Sequence, residues 1–170
     1  MILNDDKDTS EEIKYEFQQY LAILEFPDLE YLRIRKLSCA KELAMLIEKT
    51  NGNISDIDIL CAESDKNDGT LIEAIANNCP KIKNLSIHLE HKDLVHLKLL
   101  LLNCKQLTRL HFRSYPYDSK ENGDELLDIL TKFSPNSLTA INIFGYWEYS
   151  TNAFENFSKS CRERNIECLV

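Results

Sequence analysis

The chain has 170 residues, of which 44% are hydrophobic and 28% are charged, so it has the size of one globular domain with a substantial core. Its formal net charge is −8, and a negative field repels phosphate backbones, so a nucleic-acid partner is not expected. The acidic opening MILNDDKDTSEEIK lacks the positive charge and apolar run of a signal peptide, and no apolar run is long enough to cross a bilayer. We therefore expect an intracellular protein, cytoplasmic or also nuclear, with no membrane partner.

The first predicted element is an amphipathic helix over residues 10–25. Ser10 is a favourable N-cap, and Glu11 and Glu12 place negative charge in the first turn, where it stabilises a helix. The apolar face of this helix consists of Ile13, Phe17, Tyr20, Leu21 and Leu24. We expect residues 1–25 to be a tail and a helix that caps the domain that follows.

An apolar pattern of the form L-x-x-L-x-L, with Ile or Phe allowed, then recurs along the chain. Its five full copies are Leu29-Leu32-Ile34, Ile54-Ile57-Ile59, Ile82-Leu85-Ile87, Leu107-Leu110-Phe112 and Leu138-Ile141-Ile143. Ile166 and Leu169 are predicted to begin a sixth copy that the chain end cuts short. First positions lie 25, 28, 25, 31 and 28 residues apart, which is the signature of a repeat architecture.

The segments between these copies have the periodicity of amphipathic helices. Their predicted apolar faces are Ala40, Leu43, Ala44 and Ile47; Leu71, Ile72, Ile75 and Ala76; Leu94, Leu97 and Leu101; Leu126, Ile129, Leu130 and Phe133; and Phe154, Phe157 and Cys161. Each unit is thus a short strand followed by a helix. One unit cannot bury its own apolar face, but stacked units would share a continuous core.

The connections from helix to strand are also regular. Two helices end in NNCP and LLNCK, which place Cys79 and Cys104 three residues before the next strand copy, and Ser134-Pro135 lies at the corresponding place. A helix that ends in N-C-P before an L-x-x-L-x-L strand resembles the cysteine-containing leucine-rich repeats, most closely those of the F-box receptor proteins of SCF ubiquitin ligases, including the large fungal sets. The resemblance covers residues 26–170.

This resemblance implies an α/β leucine-rich repeat solenoid with parallel strands on its concave face and helices on its convex face. It also implies a protein–protein interaction module, similar to the substrate-recognition region of an SCF receptor. The chain departs from that family because no F-box motif of the form L-P-x-E-[IL] occurs. An SCF adaptor would have to bind a divergent helix at residues 10–25. The alternatives are a stand-alone repeat scaffold or inhibitor, and a GTPase-activating repeat protein that uses an exposed arginine.

The outward strand positions are the first candidate binding surface. Positions two, three, five and seven of the pattern are expected on the concave face. The candidate residues there are Tyr31, Arg33, Arg35, Asp56, Asp58, Lys83, His88, Arg109, His111, Arg113 and Phe144. Three rows carry basic groups around one acidic row, which favours a protein partner with an acidic, extended segment. The alternative is that these positions are polar only because they meet water.

Aromatic residues after the last two full strand copies are the second candidate surface. The residues are Tyr115, Tyr117, Tyr146, Trp147 and Tyr149. Aromatic loops on a rigid scaffold favour recognition of a partner, and the alternative is that these rings pack over the end of the core. Gly145, between them, is predicted to adopt a turn conformation that other residues resist.

Catalytic and metal-binding patterns are missing from the sequence. His88 and His111 are expected as diagonal neighbours on adjacent strands, but no third ligand is predicted beside them. The cysteines Cys39, Cys61, Cys79, Cys104, Cys161 and Cys168 are scattered without zinc spacing, and in a reducing compartment we expect them to be buried thiols. No phosphate-binding loop, G-x-S-x-G elbow or H-E-x-x-H motif occurs. We therefore expect no cofactor, no metal and no enzymatic activity.

Overall fold

A computed structural model of the protein describes residues 2–4, 16, 19–21, 23–35, 39–60, 69–114 and 121–170. Strands and helices alternate along these residues. The elements are β1 (Ile2–Asn4), β2 (Tyr31–Arg35), α1 (Ala40–Glu48), β3 (Asp56–Leu60), α2 (Thr70–Asn78), β4 (Asn84–His88), a 3-10 helix (His91–Asp93), α3 (Leu94–Asn103), β5 (Arg109–Arg113), β6 (Glu121–Asn122), α4 (Asp124–Phe133), β7 (Ala140–Phe144), β8 (Trp147–Glu148), α5 (Thr151–Glu163) and β9 (Glu167–Leu169).

The main sheet contains seven strands in the order β1-β2-β3-β4-β5-β7-β9, and every neighbouring pair is parallel. Six of these strands, from β2 to β9, alternate with helices, and consecutive helices pack against each other. The predicted α/β class with a parallel sheet is therefore confirmed. The short strands β6 and β8 form a separate parallel pair.

The register of the sheet aligns equivalent positions of the repeated pattern. Leu32 pairs with Ile57, Ile57 with Leu85, Leu85 with Leu110, and Leu110 with Ile141. At the fourth and sixth pattern positions of all five copies the side chains are at most 5% exposed, while their strand neighbours are exposed or half-buried. One face of the sheet thus forms the core with the helices, and the other face is open.

Backbone hydrogen bonds at the strand entrances repeat from unit to unit. The carbonyl of Lys83 accepts the N–H groups of Thr108 at 2.8 Å and Arg109 at 3.0 Å, and the carbonyl of Thr108 accepts those of Thr139 and Ala140 in the same way. The Thr108 and Thr139 hydroxyls donate to the same two carbonyls. These shared acceptors fix the step between units, so the register does not depend on side-chain packing alone.

The two helix-terminal cysteines occupy equivalent places, as the sequence predicted. Cys79 and Cys104 follow α2 and α3 directly, and each N–H donates to the carbonyl four residues earlier. The Cys104 Sγ–H donates to the Cys79 carbonyl at 3.6 Å, which links one unit to the next. Burial raises the pKa of Cys79 to about 12 and that of Cys104 to about 11, so both remain thiols at neutral pH, and with Cys39 they are buried and unbridged.

The sixth copy differs from the prediction at the end of the chain. Cys168, and not Leu169, pairs with Ile141, so the copy is shifted by one residue. Leu169 lies opposite Asn142 on the open face and is 56% exposed. A tight turn with Asn165 at φ 54° brings the chain out of α5, and a disulfide joins Cys168 to Cys161 on that helix. The expectation that these two cysteines are free thiols is therefore wrong; Cys61 lies outside the described residues.

The helix faces were predicted well at all but two positions. Phe154, expected in the core, is exposed on α5, whose core side consists of the buried Phe157 and Cys161 and the partly buried Ala153. Phe133 is only half-buried, and the Lys98 ammonium lies 4.6 Å from its ring centroid. No helix in the described part of the chain has the length and apolarity that a membrane crossing requires.

At the N-terminus the structure adds a strand that the sequence analysis did not predict. Residues 2–4 pair in parallel with Arg33, Ile34 and Arg35 of β2. Of the helix predicted over residues 10–25, residues 16, 19–21 and 23–25 are described; residues 16, 19–21 and 23 are helical, whereas residues 24 and 25 are not, so the helix ends before the predicted boundary. Leu21 is fully buried in the core while Tyr20 is exposed; Ile13 and Phe17 lie outside the described residues.

Removal of one inward leucine is the simplest test of the shared core. Leu97→Ala on α3 is expected to lower the free energy of unfolding by about 2–5 kcal/mol, because the side chain is fully buried and its loss leaves a cavity. Val95→Ala on the same helix is the control, since Val95 is 68% exposed and its change should stay within about 0.5 kcal/mol. Urea denaturation measures both variants, and equal losses would contradict the burial pattern.

The disulfide at the chain end yields a second prediction. Cys168→Ser is expected to lower the free energy of unfolding by about 2 kcal/mol, because the bond between residues seven apart closes a short loop that restricts the unfolded chain. Reductant should lower the melting temperature of the wild type but leave that of Cys168→Ser unchanged. Peptide mapping without reductant should recover the two cysteines as one linked peptide; separate, alkylated cysteines would show that the bond does not form.

Candidate functional site

The open face of the sheet carries a groove of about 610 Å³. Outward side chains from β2, β3, β4, β5 and β7 line it, so the groove crosses five strands. Most of the predicted concave-face residues meet here: Tyr31, Arg33, Asp56, Asp58, Arg109, His111 and Arg113. The alternation of the strands places them on one side of the sheet, as the sequence predicted.

Three arginines converge on Asp58, which lies on β3, the second of the five strands that line the groove. Arg35 Nη2 donates to Asp58 Oδ2 at 3.1 Å, and Arg33 Nε lies 3.3 Å from the same oxygen. Arg113 Nη1 approaches from the other side, at 3.6 Å from Asp58 Oδ1. We call these four residues the Asp58 cluster. The three guanidinium groups come from β2 and β5, and Asp58 lies on β3 between them.

The cluster holds the Asp58 carboxyl in its charged form. Burial alone would raise its pKa, but the hydrogen bond from Arg35, the neighbouring Ser86 hydroxyl and the charges of Arg113 and Arg35 outweigh burial and lower it. Asp58 is therefore ionised at neutral pH. The charge of Asp58 in the predicted acidic row is thus neutralised by arginines on β2 and β5.

Hydrogen bonding within the Asp58 cluster is incomplete. Asp58 Oδ1, Arg113 Nη1 and Ser86 Oγ are all buried, and none has a hydrogen-bond partner of good geometry among the described residues. The distance of 3.6 Å between Arg113 and Asp58 gives attraction without a hydrogen bond. Buried polar atoms left unpaired in this way cost free energy, and a group that paired with them would recover it.

Asp56, the other carboxylate of the acidic row, is satisfied locally. The Ser55 hydroxyl donates to its Oδ2 at 2.7 Å, and the Asn84 amide donates to its Oδ1. Arg109 and Lys83 are exposed and make no ion pair with any residue that the structure describes. They are the cations of this face that remain open to a partner's charge.

The two histidines of this face, His111 and His88, have different neighbours. His111 stacks on Phe144 with ring centroids 5.1 Å apart, and burial together with the charge of Arg113 lowers its pKa against the opposing effect of Asp58. His88 lies 3.2 Å from Glu90, which in turn contacts Lys92 at 2.6 Å. Within the described ranges no three potential metal ligands come together, and these two rings do not form part of such a group.

The aromatic residues of the second candidate surface have different surroundings. Trp147 is 8% exposed and belongs to the core, so it is left out of the binding surface. Tyr149 packs against the core beside Gly123. A Cβ at Gly123 would overlap the Tyr149 ring. Burial raises the pKa of Tyr149 to about 12. Tyr146 is exposed, and Tyr115 and Tyr117 lie outside the described residues.

Gly145 shapes the edge between the two candidate surfaces. Its φ is 148°, and a Cβ there would lie 2.6 Å from Ser114 Cβ. The Ser114 N–H donates to the Phe144 carbonyl at 2.8 Å, so the two chain segments are in direct contact. The prediction that other residues resist this conformation is confirmed, because a side chain at Gly145 would be strained and would overlap Ser114.

Sequence reasoning missed one buried ionisable group, Asp93. Asp93 is fully buried at the start of α3, its Oδ2 accepts the Glu90 N–H at 3.0 Å, and burial raises its pKa. Its place in a helical segment gave no sign of burial, although the pair Glu90 and Asp93 has the spacing of a capping box. This pair ends β4 and starts the next helix.

Comparison with known proteins adds no family: a scan against protein-family models gave no match, and a search of curated proteins gave no match either. The repeated pattern and the groove geometry are therefore the basis of what we propose below.

The charge of Asp58 is testable through pH. Because its pKa is lowered on folding, its stabilising effect is full at neutral pH and is lost as the pH falls through the folded-state pKa. Asp58→Asn is expected to lower the free energy of unfolding at pH 7 by about 1 kcal/mol, since the ion pairs are partly screened by solvent. The wild type and the variant should converge as the pH falls through the folded-state pKa of Asp58, which lies below its usual value.

The control for this experiment is Asp128→Asn on α4, which removes an exposed ion pair with Lys132 at 2.8 Å. Its loss at pH 7 should be smaller, about 0.5 kcal/mol or less. Urea titrations at a series of pH values measure all three proteins. A difference between wild type and Asp58→Asn that grows on acidification would contradict the lowered pKa.

Proposed function

We propose that this protein is a protein-binding module of the leucine-rich repeat type, an α/β solenoid whose concave face is the groove over β2 to β7. The observation that carries this proposal is the convergence of polar and charged side chains from five parallel strands into one open groove. The repeated pattern, the aligned register and the cysteines at the helix ends support the repeat class. Such surfaces recognise extended segments of other proteins.

The charge of the groove favours an acidic partner segment. Arg33, Arg109 and Arg113 line the groove together with Asp56 and Asp58, and Arg35 pairs with Asp58 from β2, so basic groups are in excess although the whole chain carries a net charge of −8. Guanidinium groups bind carboxylates through two parallel hydrogen bonds. Tyr31, which is 59% exposed, and Phe144, which is 49% exposed, add apolar anchors at opposite ends of the row.

The setting in which the module works is proposed on the sequence resemblance. One proposal is a substrate receptor of an SCF ubiquitin ligase, with the segment at residues 10–25, for which the sequence predicts a helix, in place of an F-box. The other is a stand-alone scaffold or inhibitor. Affinity purification with mass spectrometry separates them, because the first requires the SCF adaptor and cullin among the bound proteins and the second excludes both.

Charge reversal in the groove tests the binding surface. A variant with Arg33→Glu, Arg109→Glu and Arg113→Glu is expected to lose the partners that the wild type retains, at least tenfold by quantitative mass spectrometry, because an acidic segment would be repelled. The matched control reverses three exposed charges on the helices, Lys132→Glu, Lys159→Glu and Arg162→Glu, and should keep them. Circular dichroism must show both variants folded. Partners kept by the groove variant would locate binding elsewhere, with Tyr146 the next candidate.

A further inference from the structure

We propose that the outer face of α3 binds an amphipathic helix of another protein, and that this partner helix carries acidic residues beside its apolar positions. This surface lies on the helix side of the molecule, so the inference goes beyond the groove function proposed above and does not depend on it. Its basis is an outward apolar stripe, a pocket that continues the stripe and two lysines that flank it.

The outer side of α3 carries Val95, Leu99 and Leu102, which we call the α3 stripe. Val95 and Leu102 are exposed, and Leu99 is partly buried. The inner side of the same helix fills the core with four buried leucines, Leu94, Leu97, Leu100 and Leu101. The helix is therefore apolar on two opposite sides, and the described fold covers only the inner one.

The neighbouring helices have polar outer faces. Their exposed residues are Thr70, Glu73 and Asn77 on α2 and Glu125, Asp128 and Lys132 on α4. The apolar surface between them is thus one helix wide. The residues of the α3 stripe lie four and three residues apart, which is the spacing of the apolar positions in a heptad repeat. A stripe with this spacing fits one partner helix that lies along α3.

A pocket of about 460 Å³ continues the stripe at its C-terminal end. Leu102 belongs to both, and the half-buried Phe133 and the buried Pro135 add further apolar lining. The volume lies in the range of pockets that hold ligands. A large apolar side chain of the partner helix would therefore enter a recess beside Leu102 and would not lie on a flat surface.

The charges beside the stripe define the chemistry of the partner. Lys98 and Lys105 are exposed and lie one heptad apart. Within the described ranges neither pairs with a carboxylate, since Lys98 lies 4.6 Å from the Phe133 ring centroid and Lys105 Nζ donates to the Leu101 carbonyl at 3.3 Å. Residues that flank the apolar positions of paired helices select the partner by charge, so glutamate or aspartate is expected at the flanks of the partner helix.

A second copy of this chain is a poorer occupant. Two α3 stripes in contact would bring like-charged lysines together, which is unfavourable. On the other four helices, α1, α2, α4 and α5, the only large apolar residues that are exposed are Met45 and Phe154, so none of these helices offers a matching stripe. The helical residues near the N-terminus expose Tyr20 and Ile23, and self-association through them is measured separately below.

The experiment uses three labelled peptides of three heptads each. The first has leucine at the a and d positions and glutamate at the e and g positions; the second has lysine in place of glutamate, and the third has serine in place of leucine. Like charges at the e and g positions keep the peptides from pairing with themselves. Fluorescence anisotropy with the full chain should give the first peptide at least tenfold tighter binding than either of the others.

Variants of the chain locate the binding. Leu102→Ser should weaken binding of the glutamate peptide at least tenfold, and Leu102→Met should restore most of it because methionine keeps the apolar contact. Lys105→Glu should reduce the preference for the glutamate peptide over the lysine peptide to less than threefold. Phe154→Ser and Lys159→Glu make the same changes at exposed positions of α5 and should bind as the wild type does. Circular dichroism must show every variant folded.

The outcomes separate this inference from the groove function. Binding that Leu102→Ser leaves unchanged, but that is lost with Arg33→Glu, Arg109→Glu and Arg113→Glu combined, would overturn the α3 site and place the acidic peptide in the groove. No binding of the glutamate peptide by the folded chain would overturn the α3 site as well. Binding that is lost with Leu102→Ser and kept by the groove variant supports it.

Sedimentation velocity of the chain alone tests the second copy. Association that grows with concentration and that Val95→Ser abolishes would show that another copy covers the stripe, and would overturn its assignment to a different protein. A monomer at every concentration supports that assignment.

Discussion

The packing of equivalent apolar side chains across parallel strands is the interaction on which the rest of the structure depends. Leu85, for example, lies between Ile57 and Leu110 in the register of the sheet, and the helix behind each strand closes the same layer. A single unit has no partner for this face, so its free energy of burial exists only when neighbours are in place. The shared carbonyl acceptors at Lys83 and Thr108 then set the step between them.

The same register determines the open face. The apolar side chains occupy the inward positions, so the outward side chains of five strands lie side by side on the open face. Charged residues that are far apart in the chain therefore become neighbours. Arg33 and Arg113 are eighty residues apart in sequence and both reach Asp58. An ion cluster in a half-open groove is only partly screened, which gives the groove its positive character in a chain of negative net charge. The proposed ligand chemistry follows from that local excess.

The sequence predictions of burial were wrong near the end of the repeated units, where tertiary packing and not the local apolar pattern decides which side chains are buried. Leu169 has the right residue type for an inward position, but Cys168 occupies it because the chain leaves α5 through a tight turn and bonds back to Cys161. Phe154 matches a helix face that no neighbouring unit covers, so it is exposed. Trp147 follows the last full strand copy and is buried, since β8 pairs with β6 and turns the ring inward.

The sequence by itself determined the alternation of strands and helices, the inward positions of the five full copies, the place of the buried cysteines and the set of side chains on the open face. These features follow from local periodicity, which each short segment carries in its own residues. Only the tertiary structure decided that three arginines share Asp58, that Asp93 is buried and that Trp147 belongs to the core. Such properties depend on distances between segments far apart in the chain, and no local pattern encodes them.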